Sequence, residues 1–86
     1  MKIIFSPDAL ADQEYFKEHV PKTAEKIRQL VNDILQTPFS GLGKPEQLRH
    51  DFAGCWSRRI NREHRLVYTV KDDTLYVVSC RYHYRR

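Results

Sequence analysis

The sequence has little cysteine and no long apolar run. Its two cysteines, Cys55 and Cys80, both lie in apolar, strand-like segments, where a thiol is expected to be a small buried residue. No apolar stretch approaches the length of a membrane span, and the apolar start of the chain is too short for a secretory signal and leads directly into a helix start. We therefore expect a reduced, cytoplasmic setting without membrane association.

The sequence motifs of several common catalytic sites are missing as well. No cysteine–histidine spacing fits a zinc site, no glycine-rich phosphate loop follows a strand, and no serine stands at a nucleophile elbow. We therefore expect neither a metal ion nor a cofactor. The chain also lacks repeats and linkers, and its 41% hydrophobic content argues against disorder. These features predict one small domain, residues 1–86.

Positive charge is concentrated in the second half of the chain. Residues 1–43 contain five Lys/Arg and six Asp/Glu (net −1), whereas residues 44–86 contain ten Lys/Arg and five Asp/Glu (net +5). This asymmetry favours a polyanionic partner, with nucleic acid as the first candidate. A basic face that is merely solvated is the alternative.

A basic hairpin is the most informative segment of the sequence. Residues 56–70 alternate polar and apolar residues on either side of a polar turn at Asn61–His64, which predicts two antiparallel strands. Its four arginines are Arg58, Arg59, Arg62 and Arg65. If Arg59 pairs with Arg65, two guanidinium groups lie side by side, and such like-charge pairs are unfavourable. This pairing therefore indicates an anionic partner, and arginine suits phosphate in particular.

The first half of the chain predicts a strand and two helices. Lys2–Phe5 is a short apolar strand, and Ser6-Pro7 provides an N-cap and a first helical proline for a helix that ends near His19. The expected buried residues of this helix are Leu10, Phe16 and Val20. A second helix is expected from near Thr23 to Thr37-Pro38. Its expected buried residues are Ala24, Ile27, Leu30, Val31, Ile34 and Leu35.

The second half predicts the rest of a sheet. Residues 38–47 form a loop rich in Gly and Pro, and Leu48–His50 is a candidate for a brief fifth strand. A tight turn at Lys71–Thr74 precedes Thr74–His83, the longest β-prone run and the expected central strand. The predicted fold class is α+β, with a mainly antiparallel sheet of four strands, or five with the short one, in the order βααβββ. Two helices cover one face, and the arginines lie on the open face.

Few residues are candidates for acid–base chemistry. Glu46 lies between Lys44 and Arg49, whose charges favour the ionised carboxylate, although taken alone it is better explained as an exposed ion pair. His83 lies near the chain end and can donate or accept a proton near neutral pH. His50 and His64 have weaker claims, and His19 is expected to be structural.

Together these residues form a constellation suited to metal-free RNA cleavage. A carboxylate takes the proton of a 2′-hydroxyl, arginines stabilise the phosphate charge, and a histidine protonates the leaving oxygen. Exposed aromatic rings stack unpaired bases. The candidate aromatic residues are Phe52, Trp56, Tyr82 and Tyr84.

The chain resembles the YoeB (Txe/YoeB) toxins of bacterial toxin–antitoxin pairs, within the RelE-like superfamily. The stretches that carry this resemblance are Gly43-Lys44-Pro45-Glu46, Trp56-Ser57-Arg58-Arg59-Ile60, Glu63-His64-Arg65-Leu66-Val67-Tyr68 and Cys80-Arg81-Tyr82-His83-Tyr84. It covers essentially the whole chain. It implies an endonuclease that cleaves mRNA in the ribosomal A site, blocks translation and is neutralised by a YefM-like antitoxin. The oligomeric state is left open, a homodimer included.

The resemblance also implies a role for each matching residue. Glu46 is similar to the family's general base, His83 to its general acid, and Arg65 to its phosphate and transition-state ligand. The expected substrate-binding residues are Lys44, Arg49, Arg59 and Tyr84. Two departures stand out: Arg49 replaces a frequent lysine, and Arg85 and Arg86 extend past the usual end.

The register of the last strand remains open. A two-residue turn at Asp72-Asp73 pairs Cys80 with Arg65 and sends Tyr82 and Tyr84 to the open face, away from His83. A bulge in the strand, or an end before His83, brings His83 round instead. The sequence is compatible with either arrangement.

Two functions without catalysis compete with the ribonuclease. The first is an RNA- or ribosome-binding module that uses the same basic face, and the second is a protein whose basic face only docks an acidic protein segment. Glu46 and His83 favour the ribonuclease, because a binding module gains nothing from a carboxylate among its phosphate contacts.

Overall fold

The computed structural model describes residues 1–82, and the predictions for His83 and Tyr84 lie outside this range. Within it, no helix is long and apolar enough to cross a membrane. The elements are β1 (Lys2–Phe5), α1 (Pro7–His19), α2 (Pro21–Gln36), β2 (Glu46–Gln47), β3 (Trp56–Arg59), β4 (Arg65–Lys71) and β5 (Thr74–Ser79).

The five strands form one mixed sheet in the order β1-β5-β4-β3-β2. The α+β class and the two helices are as predicted, but the strand count and order differ in detail. The fifth strand is Glu46–Gln47 and not Leu48–His50. β1 pairs parallel with β5, to which it is connected through the rest of the chain, as a parallel pair requires a long connection, whereas the other neighbours are antiparallel. The central strand is therefore β4, and the prediction that Thr74–His83 is central was wrong.

The last strand is shorter than predicted and contains an irregularity. Val67 pairs with Ser79 whereas Tyr68 pairs with Val77, so Val78 is an extra residue and β5 ends at Ser79. The Ser6 hydroxyl donates to the Val78 carbonyl at 2.6 Å, which satisfies an acceptor at the bulge. Of the arrangements that the sequence left open, the structure therefore contains both the bulge and a strand that ends before His83.

The helices begin where proline and a capping serine allow. The Ser6 side chain accepts the N–H of Ala9 at 3.0 Å, as an N-cap should. α2 begins at Pro21, two residues before the predicted start, because proline fits the first helical position. Leu10 and Val20 are exposed, contrary to prediction: Leu10 is one residue, about 100°, around α1 from buried Ala9, and Val20 lies at the helix junction.

The core lies between the helices and the face of the sheet that they cover. Its main members are Ala9, Phe16, Ile27, Leu30, Ile34, Leu66, Tyr68, Leu75, Val77 and Cys80. Cys80 is fully buried, as predicted, and burial raises the pKa of its thiol to about 12, with Asp12 adding to the shift. Cys55 is half-buried, and burial also raises the pKa of its thiol.

Arg58 is a fully buried arginine on the helix-covered face of β3. Its guanidinium has five N–H donors, and the structure provides five acceptors for it. Nη1 donates to Asp33 Oδ2 at 2.6 Å and to the Leu42 carbonyl at 3.0 Å. Nη2 donates to the carbonyls of Thr37 (2.6 Å) and Ser40 (2.7 Å), and Nε donates to the Tyr68 hydroxyl at 3.2 Å.

The Arg58 network holds the loop that follows α2. The Tyr68 hydroxyl donates to the Pro38 carbonyl at 2.7 Å, and the Leu42 N–H donates to Asp33 Oδ2 at 2.9 Å. Four carbonyls of residues 37–42 thus find donors on the sheet, as buried or half-buried backbone groups require. This segment is fixed by polar contacts and not by its own secondary structure.

Replacing Arg58 with Met should destabilise the protein by about 3–5 kcal/mol, because several acceptors lose their donor in a buried site. Arg58→Lys should recover only part of this loss, since lysine lacks the planar fork. Arg28→Met is the matched control: Arg28 is exposed and forms an i,i+3 ion pair with the exposed Glu25, so the change should stay within about 0.5 kcal/mol. Urea unfolding measures all three, and equal stability of Arg58→Met and Arg28→Met would contradict the role of Arg58.

The Asp33 network should also make stability depend on pH. The Leu42 N–H and then Arg58 hold the pKa of the Asp33 carboxyl below its ordinary value, so the unfolded chain takes up this proton first as pH falls. Stability from Asp33 is therefore present at neutral pH and is lost as pH falls below about 5 toward the lowered pKa. Asp33→Asn should be less stable at pH 7, and its stability curve should approach that of the wild type in acid. Curves that stay parallel, as expected for exposed Glu14→Gln, would contradict this.

Candidate active site

Three predicted site residues lie on the open face of three neighbouring strands. Glu46, expected in a loop, is in β2 and pairs with Ser57, and Arg59 pairs with Arg65, which is the pairing considered from the sequence. Residues directly opposite in antiparallel strands point to the same face, and so do residues two apart along one strand. Glu46, Arg59 and Arg65 therefore share the face opposite the helices. Glu46 is diagonal to Arg59 across the β2–β3 pair, a position in which the Cα atoms lie roughly 7–8 Å apart.

Arg65 is anchored at one end of its guanidinium. Its Nη1 donates to the carbonyls of Asn61 (2.8 Å) and His64 (3.1 Å), which lie in the hairpin turn. Within residues 1–82, Nη2 and Nε of Arg65 have no hydrogen-bond partner and no carboxylate pairs with it. A fork that is held at one nitrogen keeps its other donors in a fixed direction, which is what recognition of a phosphate requires.

The loop after α2 brings a further cation, Lys44, to the start of the edge strand β2. The Arg59 N–H donates to the Gly43 carbonyl at 2.6 Å. Gly43 has φ +79°, and a Cβ there would meet the Arg59 carbonyl at 3.0 Å, so this close approach requires glycine. Lys44 follows directly and is exposed, two residues before Glu46.

A cavity of about 320 Å³ adjoins Glu46. It is lined by Glu46, Gln47, Leu48, Arg49, His50, Asp51 and Phe52. Arg49 and His50 therefore line the same cavity as Glu46, and the sequence gave His50 only a weak claim. No ion pair joins Glu46 to a cation in the described part of the chain, so the exposed ion pair considered from the sequence is not formed.

Several residues of the basic hairpin are not on the open face. Arg58 and Trp56 alternate with Arg59 and point toward the helices, where Trp56 is half-buried and its ring lies 4.9 Å from that of Phe39. The expectation that the arginines of the hairpin lie on the open face is therefore wrong for Arg58. His64 is buried and accepts a hydrogen bond from the Tyr82 N–H at 2.6 Å, and Tyr82 itself is exposed.

Within residues 1–82, no three His, Cys, Asp or Glu side chains are close enough together to hold a metal ion. On the open face, the Glu46 carboxylate shares the sheet with Arg59 and Arg65, and Asp51 and Arg49 line the cavity beside it. The two proposed residues at the chain end, His83 and Tyr84, lie outside the described residues. What the structure shows is where the chain leads into them: Tyr82 lies against the start of β4, because its carbonyl accepts the Arg65 N–H at 2.8 Å.

Comparison with known proteins agrees with this fold. The YoeB/ParE toxin from Agrobacterium tumefaciens has a TM-score of 0.95 at 44% identity, and the match covers 98% of this chain and 100% of that one. YoeB from Staphylococcus aureus is 46% identical over 98% of both chains. Its structures include a heterotetrameric YoeB–YefM complex (TM-score 0.90) and a dimer (TM-score 0.91). The fold is that of the RelE-like toxins.

Sequence comparison narrows the class to one family. Toxin YoeB of Escherichia coli (strain K12) is 50% identical over 84 residues, which cover 98% of this chain and 100% of that protein. The family model described as "YoeB-like toxin of bacterial type II toxin-antitoxin system" matches residues 5–84. The chain belongs to this family of YoeB-like toxins.

Proposed function

We propose that this protein is a ribosome-dependent mRNA endonuclease that works in the cytoplasm, cleaves mRNA in the ribosomal A site and thereby inhibits translation. The observation that carries the proposal is the placement of Glu46, Arg59 and Arg65 on one open face of adjacent strands. Two like-charged side chains directly opposite each other destabilise a sheet, so their retention supports an anionic substrate. A carboxylate beside them supports catalysis over simple binding, because it repels phosphate.

In the proposed mechanism the RNA supplies its own nucleophile. Glu46 accepts the proton of a 2′-hydroxyl, and the resulting O2′ attacks the adjacent phosphorus. Arg65, with Arg59 assisting, stabilises the negative charge that develops on the phosphoryl oxygens. The bond from phosphorus to O5′ then breaks, and His83 gives its proton to O5′. The products are a 2′,3′-cyclic phosphate and a 5′-hydroxyl, with no metal ion or cofactor involved.

The other candidate residues hold the RNA. Lys44 and Arg49 lie on either side of Glu46 in sequence, and Arg49 lines the cavity beside it, so both are within reach of the phosphates that flank the scissile bond. Tyr84 orients the substrate. Glu46 and Arg59 are both exposed, so the free protein by itself encloses little of a substrate. The ribosome, which presents single-stranded mRNA in a fixed geometry, would supply the missing orientation.

A single 2′-deoxy nucleotide immediately 5′ to the scissile phosphate should abolish cleavage on programmed ribosomes, because the internal nucleophile is missing. Binding of this mRNA should be unchanged. Glu46→Gln should slow cleavage of the ordinary mRNA by about 10²–10⁴-fold, whereas Glu18→Gln, an exposed change on α1, should have no effect. Primer extension with and without ribosomes measures cleavage of the 2′-deoxy mRNA and cleavage by the variants. Cleavage should also persist in EDTA wherever the ribosome stays intact.

Two results would reject this mechanism. Cleavage of the 2′-deoxy mRNA at a comparable rate would make water the attacking group. Binding of mRNA or ribosomes without any cleavage would instead identify a non-catalytic binding module, which is the competing function of the same basic face.

The proposed partner is a YefM-like antitoxin, as in the S. aureus complex. S. aureus YoeB also forms a dimer, so sedimentation of this protein should test for a homodimer.

An acidic antitoxin segment that covers the open face should block cleavage. Its affinity should fall with salt, and Arg59→Gln should weaken it more than Lys17→Gln, since Lys17 is on α1. A tight complex that still cleaves mRNA would contradict this. Calorimetry at two salt concentrations, with a parallel cleavage assay, makes the comparison.

A further inference from the structure

Tyr82 is held by both of its backbone polar groups. Its N–H donates to His64 Nδ1 at 2.6 Å, and its carbonyl accepts the Arg65 N–H at 2.8 Å. Its φ is +60°, a left-handed conformation that residues with a side chain rarely adopt, so contacts of this kind are needed to maintain it. These two hydrogen bonds, which join Tyr82 to residues 64 and 65, are called the Tyr82 clamp below.

The His64 ring is itself fixed in place. It is 8% exposed and packs edge-on against Phe16, with ring centroids 4.9 Å apart. Its backbone belongs to the hairpin turn, because its N–H donates to Asn61 Oδ1 at 2.9 Å and its carbonyl accepts the Ile60 N–H at 3.0 Å. The acceptor of the clamp is therefore held by the core and by the turn, and it offers Tyr82 one defined position.

The clamp determines the protonation of the imidazole. A backbone N–H can only donate, so Nδ1 of His64 has no hydrogen and Nε2 carries it in the neutral ring. Nε2 lies 4.0 Å from the exposed Glu63 carboxylate, which favours this tautomer. Since Nδ1 is occupied by the backbone, the contribution of His64 is geometric.

We infer that His64 is a positioning residue for the chain end: its Nδ1 fixes the backbone of Tyr82, the residue that directly precedes His83. The inference deepens the proposed function and rests on it for what these two residues do. A second tie acts just upstream, where the Cys80 N–H donates to Asp12 Oδ2 at 3.1 Å. The segment is thus attached to α1 at residue 80 and to the hairpin at residue 82.

Three substitutions of His64 distinguish the effect of its acceptor atom from the effect of its ring. His64→Phe keeps a ring of similar shape without any acceptor, and His64→Asn keeps an acceptor oxygen on Cγ, near the position of Nδ1. His64→Gln places its amide one atom further out, nearer the position of Nε2, and serves if the Phe variant does not fold. His19→Phe is the matched control, because His19 is an exposed histidine on α1.

Amide hydrogen exchange of the free protein tests the clamp without any reaction. The Tyr82 N–H should be protected in the wild type, in His64→Asn and in His19→Phe, and should lose protection in His64→Phe and His64→Gln. Unchanged protection of Tyr82 in both His64→Phe and His64→Gln would overturn the clamp. This measurement remains decisive even if the protein proves not to cleave mRNA.

Single-turnover cleavage on ribosomes tests what the clamp serves. His64→Phe should slow cleavage about 10²-fold at an unchanged half-saturating concentration, as expected when a reacting group is misplaced by about 1 Å. His64→Asn should restore most of the rate. In a His83→Ala background the same His64→Phe change should have little further effect, because the group that it positions is already gone. An undiminished further loss in that background, or equal losses in the Phe and Asn variants, would overturn the positioning role.

Discussion

The buried guanidinium of Arg58 is the interaction on which the rest of this structure depends. A buried charge is tolerated only when it is paired and its donors are satisfied, and here five acceptors meet five donors. Four of these acceptors come from Asp33 and the loop that follows α2, so satisfying one side chain of β3 folds a segment that has no strand or helix of its own. The same loop then continues through Gly43 to Lys44 and Glu46.

Polar contacts with the hairpin fix the segments on either side of it. The loop that leads into β2, and so to Glu46, is tied to β3 through Arg58 and through the Arg59 N–H, and Tyr82 is tied to the start of β4 by the Tyr82 clamp. Arg59 and Arg65 project from the two strands between these ties. A rigid sheet therefore carries the proposed charge-stabilising groups, and the proposed base lies on the short strand that the tied loop leads into.

Much of this arrangement could be predicted from local patterns. The Ser6-Pro7 helix start, the apolar face of α2 and the Arg59–Arg65 pair all follow from short-range periodicity and capping, and all three are present. The alternation of β3 also puts Arg58 and Arg59 on opposite faces, and Arg58 lies between Trp56 and Ile60, which point to the core, so period two places it on the buried face. The acceptors that make this burial possible come from Asp33 and the loop after α2, which no local pattern of β3 predicts. The bulge at Val78 depends on a tertiary contact, the Ser6 hydroxyl, and no local pattern predicts it.

The bulge also explains how a chain with a tight turn at residues 72–73 can bury Cys80 in the core. Without the extra residue, each residue after Val77 would face the opposite side of the sheet. The bulge changes that parity, and Cys80 then lies in the core, where its buried thiol packs against the Ala9 carbonyl at 3.6 Å. Beyond the strand end at Ser79, Cys80 and Tyr82 are held by hydrogen bonds to Asp12 and His64 and not by strand pairing. A change at Ser6 or Val78 should therefore act through the register of β5, and with it on the burial of Cys80, although Ser6 lies at the other end of the sequence.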